Sequence, residues 1–211
     1  MMTMKRMKRI LFACALVLWG SCAHAAISAD VVEAAWAKIS KADGFETVPI
    51  TYEKDTSPNA WVKFKSDKDF SVHVTQGLMK ILNTEEQVAG VLGHEIGHVR
   101  LGHYSKGVGR NIGWTVLGVL LGRAGGAAQA VGSIGMNLAE SGFSRGQEVE
   151  ADDYGTALLK KAGYDPMGLY RAMKAFADNK YVTQPNGFNS HPPTARRLKH
   201  LFDKAKEVRG N

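Results

Sequence analysis

The chain of 211 residues is 45% hydrophobic and 22% charged, a composition that suits one globular domain and excludes a disordered tail or a collagen-like repeat. Its formal net charge of +7 overstates its basicity, because four of the 27 basic residues, Lys5, Arg6, Lys8 and Arg9, precede the first acid, Asp30. Beyond residue 25 the balance is 23 basic against 20 acidic residues, or +3, so charge gives no reason to expect a nucleic-acid partner.

Residues 1–25 carry the three parts of a secretory signal: a basic stretch through Arg9, an apolar run from Ile10 to Trp19, and the small-residue exit Ala23-His24-Ala25. The run spans about ten residues, roughly half of a membrane span. Cleavage after Ala25 is expected, leaving residues 26–211 as a single periplasmic domain. The alternative is a lipoprotein signal acylated at Cys22 and held at the outer membrane; Gly20 and Ser21 suit such a site, whereas Trp19 does not. A retained N-terminal anchor is the third option. Both cysteines, Cys14 and Cys22, lie in this segment, so the mature chain enters an oxidising compartment without a disulfide. Its stability must come from a core or a metal.

The remaining pattern predicts an α+β domain, mostly helical with a small sheet. Ser28 can cap a helix with the apolar stripe Val31, Val32, Ala35, Trp36 and Ile39, ending before Asp43-Gly44. The period then becomes two, and Thr47 to Tyr52, Ala60 to Lys65 and Phe70 to Thr75 read as short strands separated by turn-rich segments. A short helix is expected from Gln76 to Leu82. Thr84 and Gln87 form a capping box that opens a stronger one, with Val88, Val91, Leu92, Ile96 and Val99 on its apolar side.

That helix contains His94-Glu95-Ile96-Gly97-His98, an H-E-x-x-H motif. Imidazoles at i and i+4 project from one helical face and can both reach a Zn²⁺ ion at about 2.0 to 2.1 Å. Glu95, next to the first, is placed to take a proton from water at the metal. The bare motif also fits a helix with two surface histidines. A third ligand is available from a second helix beginning near Ser144 and ending at Lys160-Lys161-Ala162-Gly163, with Gly163 as its C′ residue. Glu148 and Asp152 share a face there at i and i+4, while Glu150 points elsewhere. Two stacked acids without basic partners repel, and a cation between them removes the cost; a solvated acidic face is the plainer alternative. The assignment is Glu148 as third ligand and Asp152 as the carboxylate that accepts the free N–H of a ligating imidazole. Two histidines, one glutamate and an open water position make a catalytic zinc arrangement.

Gly93-His94-Glu95-Ile96-Gly97-His98-Val99, then Phe143-Ser144-Arg145 through Glu148 to Tyr154, then His191-Pro192-Pro193 followed by Arg197, resemble the HtpX and CAAX-prenyl-protease family of zinc metallopeptidases, in particular its periplasmic branch of LoiP- and BepA-like peptidases. The resemblance covers roughly residues 59–201. It implies a zincin-like gluzincin fold with one zinc per chain, held by His94, His98 and Glu148, with Glu95 as base and Asp152 orienting a ligand. It also implies that Asn59-Ala60-Trp61 begins the edge strand against which a substrate peptide is laid. The chain lacks the multiple membrane spans of HtpX and the C-terminal repeat domain of the BepA kind.

Pro192 and Pro193 stiffen the entry to a last helix bearing Leu198, Leu201 and Phe202, which holds His191 at a helix start. There His191 can donate to a developing oxyanion, the role favoured here, or occupy the open zinc position when substrate is absent. Arg197 can neutralise an acid near the site or stabilise the tetrahedral intermediate. His73, His103 and His200 are assigned structural or exposed roles, His103 because it lies nine residues beyond His94 along the helix. The Gly- and Ala-rich stretch from Gly107 to Gly142 is expected to form a mobile helical hairpin over the cleft. Its apolar run from Ile112 to Leu121 is bracketed by Arg110 and Arg123, about 18 Å of helix and too short to span a bilayer; peripheral membrane contact is the alternative.

The function expected is metal-assisted hydrolysis of unfolded or extended polypeptides in periplasmic protein quality control. Catalytic roles fall to Glu95, His191 and Arg197. The alternative is a zinc-stabilised periplasmic chaperone or assembly factor with weak or gated proteolysis. Glu95 argues against it, because a purely binding module has no use for a base.

Overall fold

The computed structural model describes residues 26–66, 69–104, 143–179, 191 and 193–210. The expected signal segment, the hairpin between Gly107 and Gly142 and its apolar run lie outside the described residues.

Helix α1 (Ala29–Asp43) begins where the hydroxyl of Ser28 accepts the Val31 N–H and ends at Gly44, whose φ of 83° only glycine adopts without strain. It buries Val32, Ala35, Trp36 and Ile39, and the Trp36 indole donates to the Val48 carbonyl at 2.7 Å, tying the following turn to the helix. Three strands follow, β1 (Ile50–Glu53), β2 (Ala60–Ser66) and β3 (Asp69–Thr75). The sheet order is β1-β3-β2, with β3 parallel to β1 and antiparallel to β2. One face supplies Ile50, Ala60, Val62, Phe70, Val72 and Val74 to the core. Among the described residues β2 is therefore an edge strand, and it packs beside the next long helix.

Thr75 closes β3 and caps α2 (Gln76–Ile81). Thr84 and Gln87 form the expected capping box at the start of α3 (Glu85–Arg100). α3 is the axis of the molecule: each residue from Gln87 to Val99 is buried, and it packs against α1, α4 (Arg145–Lys161) and α5 (Gly168–Asp178). α4 opens on a second capping box, Ser144 and Gln147, and stops at Gly163 with φ 81°. α5 carries Leu169, Ala172, Met173 and Phe176 at the i, i+3, i+4, i+7 spacing and buries all four. The last helix, α6 (Ala195–Gly210), has its first turn fixed by Thr194, whose hydroxyl accepts the Arg197 N–H at 3.2 Å. This is the α+β, mostly helical architecture expected. Among the described residues no helix is long and apolar enough to cross a membrane.

α3 and α4 approach closely because glycines face each other. A Cβ on Gly155 would stand 2.8 Å from the His94 backbone nitrogen, and one on Gly97 would stand 3.1 Å from Ala151 Cα. The missing side chains let the two helices meet along the stretch that carries His94, His98, Glu148 and Asp152.

Candidate metal centre

A helix buried on every side should be apolar, yet α3 buries His94, Glu95 and His98 completely. Burying ionisable groups is costly unless each is matched, so their partners define the site. His94 Nδ1 lies 2.9 Å from Asp152 Oδ1. With the proton on Nδ1, the His94 Nε2 lone pair is left facing inward, where His98 Nε2 stands at 3.1 Å and His191 Nδ1 at 3.2 Å. The carboxylate of Glu148 closes the cluster: Oε1 is 2.8 Å from His191 Nδ1 and 3.5 Å from His98 Nε2, and Oε2 is 3.7 Å from His94 Nε2. His94, His98, Glu148 and His191 each direct one donor atom into a space where all four atoms lie within 4.8 Å of one another. Imidazole lone pairs and a carboxylate converging in a buried space are the donor chemistry of a Zn²⁺ site, so the residues fit the ion expected from the sequence.

Asp152 and Glu148 are not the unpartnered acids that their spacing on α4 suggested. Arg197 comes from α6 and is only 6% exposed. It donates to Asp152 through Nε (2.6 Å to Oδ2) and Nη2 (2.7 Å to Oδ1). Its Nη1 stands 2.6 Å from Glu148 Oε2, an ion-pair contact whose angle falls short of a hydrogen bond. One guanidinium is thus the cation between the two acids, a contact 45 or more residues away in sequence and invisible in helical spacing.

Glu95 sits beside this cluster, fully buried, and neither oxygen makes a well-formed hydrogen bond among the described residues. The nearest ion-pair partner is His191 Nε2, 3.6 Å from Oε1. Burial pushes the Glu95 carboxyl pKa up, against the pull of His191 and His94. Burial also works to raise Asp152 and Glu148, but Arg197 and His94 outweigh it and hold Asp152 at about 2, while His191 leads the charges that lower Glu148. For His191 itself, burial is overcome by the charges of Glu148 and Glu95, and its pKa is raised.

His103 stays outside the four-donor cluster, as its distance along the chain suggested, yet it is buried against one of the four. α3 stops at Arg100, and Gly102, with φ 65°, breaks the helical path. His103 is then fully buried with Nδ1 2.9 Å from His98 Nδ1 and Nε2 3.0 Å from Glu150 Oε2. Phe143 stacks on the His98 ring with centroids 3.7 Å apart, and Tyr104 packs edge-on against Phe143. His73 is buried in the sheet between Glu53 and Ser71, and His200 pairs at the surface with Asp153.

A helix bearing two histidines and a glutamate, joined to a glutamate from a neighbouring helix around one metal position, defines a metallopeptidase-type centre. The model of peptidase family M48 matches residues 25–205. The chain belongs to this family of zinc-dependent metallopeptidases. It is 37% identical over 138 residues to metalloprotease LoiP of Escherichia coli (strain K12), covering 63% of this chain and 54% of that protein. It is 32% identical over 177 residues to metalloprotease YcaL of the same organism, covering 80% of this chain and 68% of that protein. The beta-barrel assembly-enhancing protease of Yersinia pestis is 30% identical over 152 residues, covering 66% of this chain and 31% of that protein. The chain therefore spans about half to two thirds of the length of the first two relatives.

Proposed function

We propose that this chain is a zinc metalloendopeptidase that cleaves unfolded or misassembled envelope polypeptides in the periplasm, after removal of residues 1–25. The observation that carries the reading is the convergence of His94 Nε2, His98 Nε2 and the Glu148 carboxylate on one buried point, with the Glu95 carboxyl beside it. His94, His98 and Glu148 would hold the ion, and Asp152, fixed by Arg197, orients His94 through its Nδ1–H. When bound, zinc polarises a scissile carbonyl and lowers the pKa of water toward 7. Glu95 takes the proton of the attacking water and returns it to the leaving amine. Strand β2, at the edge of the sheet among the described residues, offers its outer backbone groups to an extended peptide, a mode that reads backbone more than side chains and so selects unfolded segments. The similarity to the beta-barrel assembly-enhancing protease of Yersinia pestis supports an envelope setting.

The location of His191 favours a second reading, a zinc-stabilised assembly factor with gated proteolysis. Its Nδ1 faces the donor cluster and stands 3.2 Å from His94 Nε2, where it would hold the fourth position at rest. The sequence favoured an oxyanion role; the geometry supports the resting ligand. The test is casein hydrolysis by the zinc-loaded chain. Cleavage abolished by a chelator and restored by zinc supports the peptidase, and an intact substrate under both conditions rejects it. Zinc bound at about one per chain and lost in His98→Ala supports the ligand set; full occupancy in that variant rejects it.

A further inference from the structure

Two ligand histidines leave α3 one turn apart, and their outer nitrogens meet different groups. His94 Nδ1 faces a carboxylate, Asp152. His98 Nδ1 faces another imidazole, Nδ1 of His103 at 2.9 Å, and His103 Nε2 faces Glu150 Oε2 at 3.0 Å. The ring of His103 is fully buried, whereas the Glu150 side chain is 59% exposed. We propose that His103, set by Glu150, is a positioning residue that fixes the tautomer and ring orientation of His98 for metal binding, an inference that rests on His98 being a ligand.

Proton arithmetic allows one neutral arrangement. For His98 to offer a lone pair at Nε2, its proton is on Nδ1. That N–H then donates to Nδ1 of His103, which must be unprotonated, so the His103 proton is on Nε2 and donates to the Glu150 carboxylate. The chain of hydrogen bonds runs from the metal position to a surface acid with no donor facing a donor. Phe143 fixes the plane of the His98 ring by stacking, and His103 fixes its rotation within that plane. Glu150, which points away from Glu148 and Asp152 on α4, gains a role by this route. The left-handed backbone at Gly102, just past the end of α3, precedes His103 and takes it off the helical path.

The test measures zinc affinity by competition with a chromogenic chelator, and the visible spectrum of the cobalt-substituted protein. In His103→Leu, which fills the space without a hydrogen bond, zinc affinity should fall by about 10- to 100-fold, the usual cost of losing such a support, and the cobalt bands should shift. In His103→Gln the side-chain carbonyl can accept from His98 and the amide can donate to Glu150, so affinity should stay within a few-fold of the parent. Parent-like affinity in His103→Leu overturns the proposal, and so does an equal loss in both folded variants, which would indicate packing alone. If the leucine variant does not fold, Glu150→Ala decides: a few-fold loss supports the relay, and an unchanged affinity overturns it. A parent chain that binds no zinc overturns the ligand reading and the relay together, whereas a parent that binds zinc and loses it only in His98→Ala overturns the relay alone.

Discussion

Arg197 grips Asp152 through both carboxylate oxygens, at 2.6 and 2.7 Å, while its third nitrogen stands 2.6 Å from Glu148. A single buried guanidinium from the last helix therefore sets two acids of α4, one proposed to hold the metal and one to orient His94.

Removing that cation leaves two carboxylates buried without their partner. Arg197→Leu should lower the stability of the metal-free protein by about 3–5 kcal/mol, the scale for breaking a buried ion pair from one side. Urea unfolding of the chelator-treated protein measures it, and a loss below about 1 kcal/mol would contradict the role given to Arg197.

The contact between α3 and α4 depends on Gly155. A methyl group there would meet the His94 backbone nitrogen at 2.8 Å, and backbone cannot move aside as a side chain can. Gly155→Ala should cost about 1–3 kcal/mol by overpacking and weaken zinc binding by displacing Glu148. Gly146→Ala in the same helix meets, among the described residues, only the Ser144 hydroxyl, at 4.0 Å, and should be neutral or stabilising. Thermal unfolding of the two variants separates local crowding from a general intolerance of alanine in α4.

His191 at the fourth position should hold activity back. His191→Ala is expected to raise the initial rate of casein cleavage, because substrate no longer displaces an internal group, with zinc still bound by the other three residues. A fall in kcat of roughly 10²- to 10³-fold at unchanged zinc content would instead assign it to the oxyanion.

Asp165 ties the loop before α5 to the C-terminal end of α6 through Arg209, and to α5 itself through Arg171. Burial works to raise its pKa, but Arg209, the Met167 amide and Arg171 prevail and hold it at about 2, below the ordinary 3.8. A depressed carboxyl stabilises the fold above its unfolded pKa and loses that contribution as the pH falls through the folded one. The urea midpoint of the parent should exceed that of Asp165→Asn at pH 7, and the gap should close between about pH 4 and pH 2. A gap independent of pH would show that the ion pairs contribute nothing.

Much of this architecture was legible as local pattern. Ser28, Thr84 and Ser144 announce helix starts through capping chemistry, and Gly44 and Gly163 announce ends through left-handed backbone. Strand limits were less exact: β1 begins at Ile50 where alternation suggested Thr47, because pairing with β3 and not alternation sets its length. α5 lacks a start signal in the sequence although Leu169, Ala172, Met173 and Phe176 carry a plain helical period, because its N-terminus has no side-chain cap and Met167 occupies that position. At the site, His94, Glu95, His98, Glu148 and Asp152 could be named from spacing within two helices. What joins Arg197 to Asp152, or His103 to His98, is not in helical spacing: the first pair comes from separate helices, and the second spans the end of α3 and the left-handed Gly102, which helical arithmetic treats as a continuous helix.

The central claim is that Glu95 acts as the base of a peptidase whose metal other residues hold. Glu95→Gln is nearly isosteric and leaves His94, His98 and Glu148 untouched, so the decisive measurement is the rate of casein cleavage by parent and variant at equal zinc content. The rate should fall by at least about 10²-fold, the scale of a lost general base. A variant that cleaves at the parent rate would contradict it.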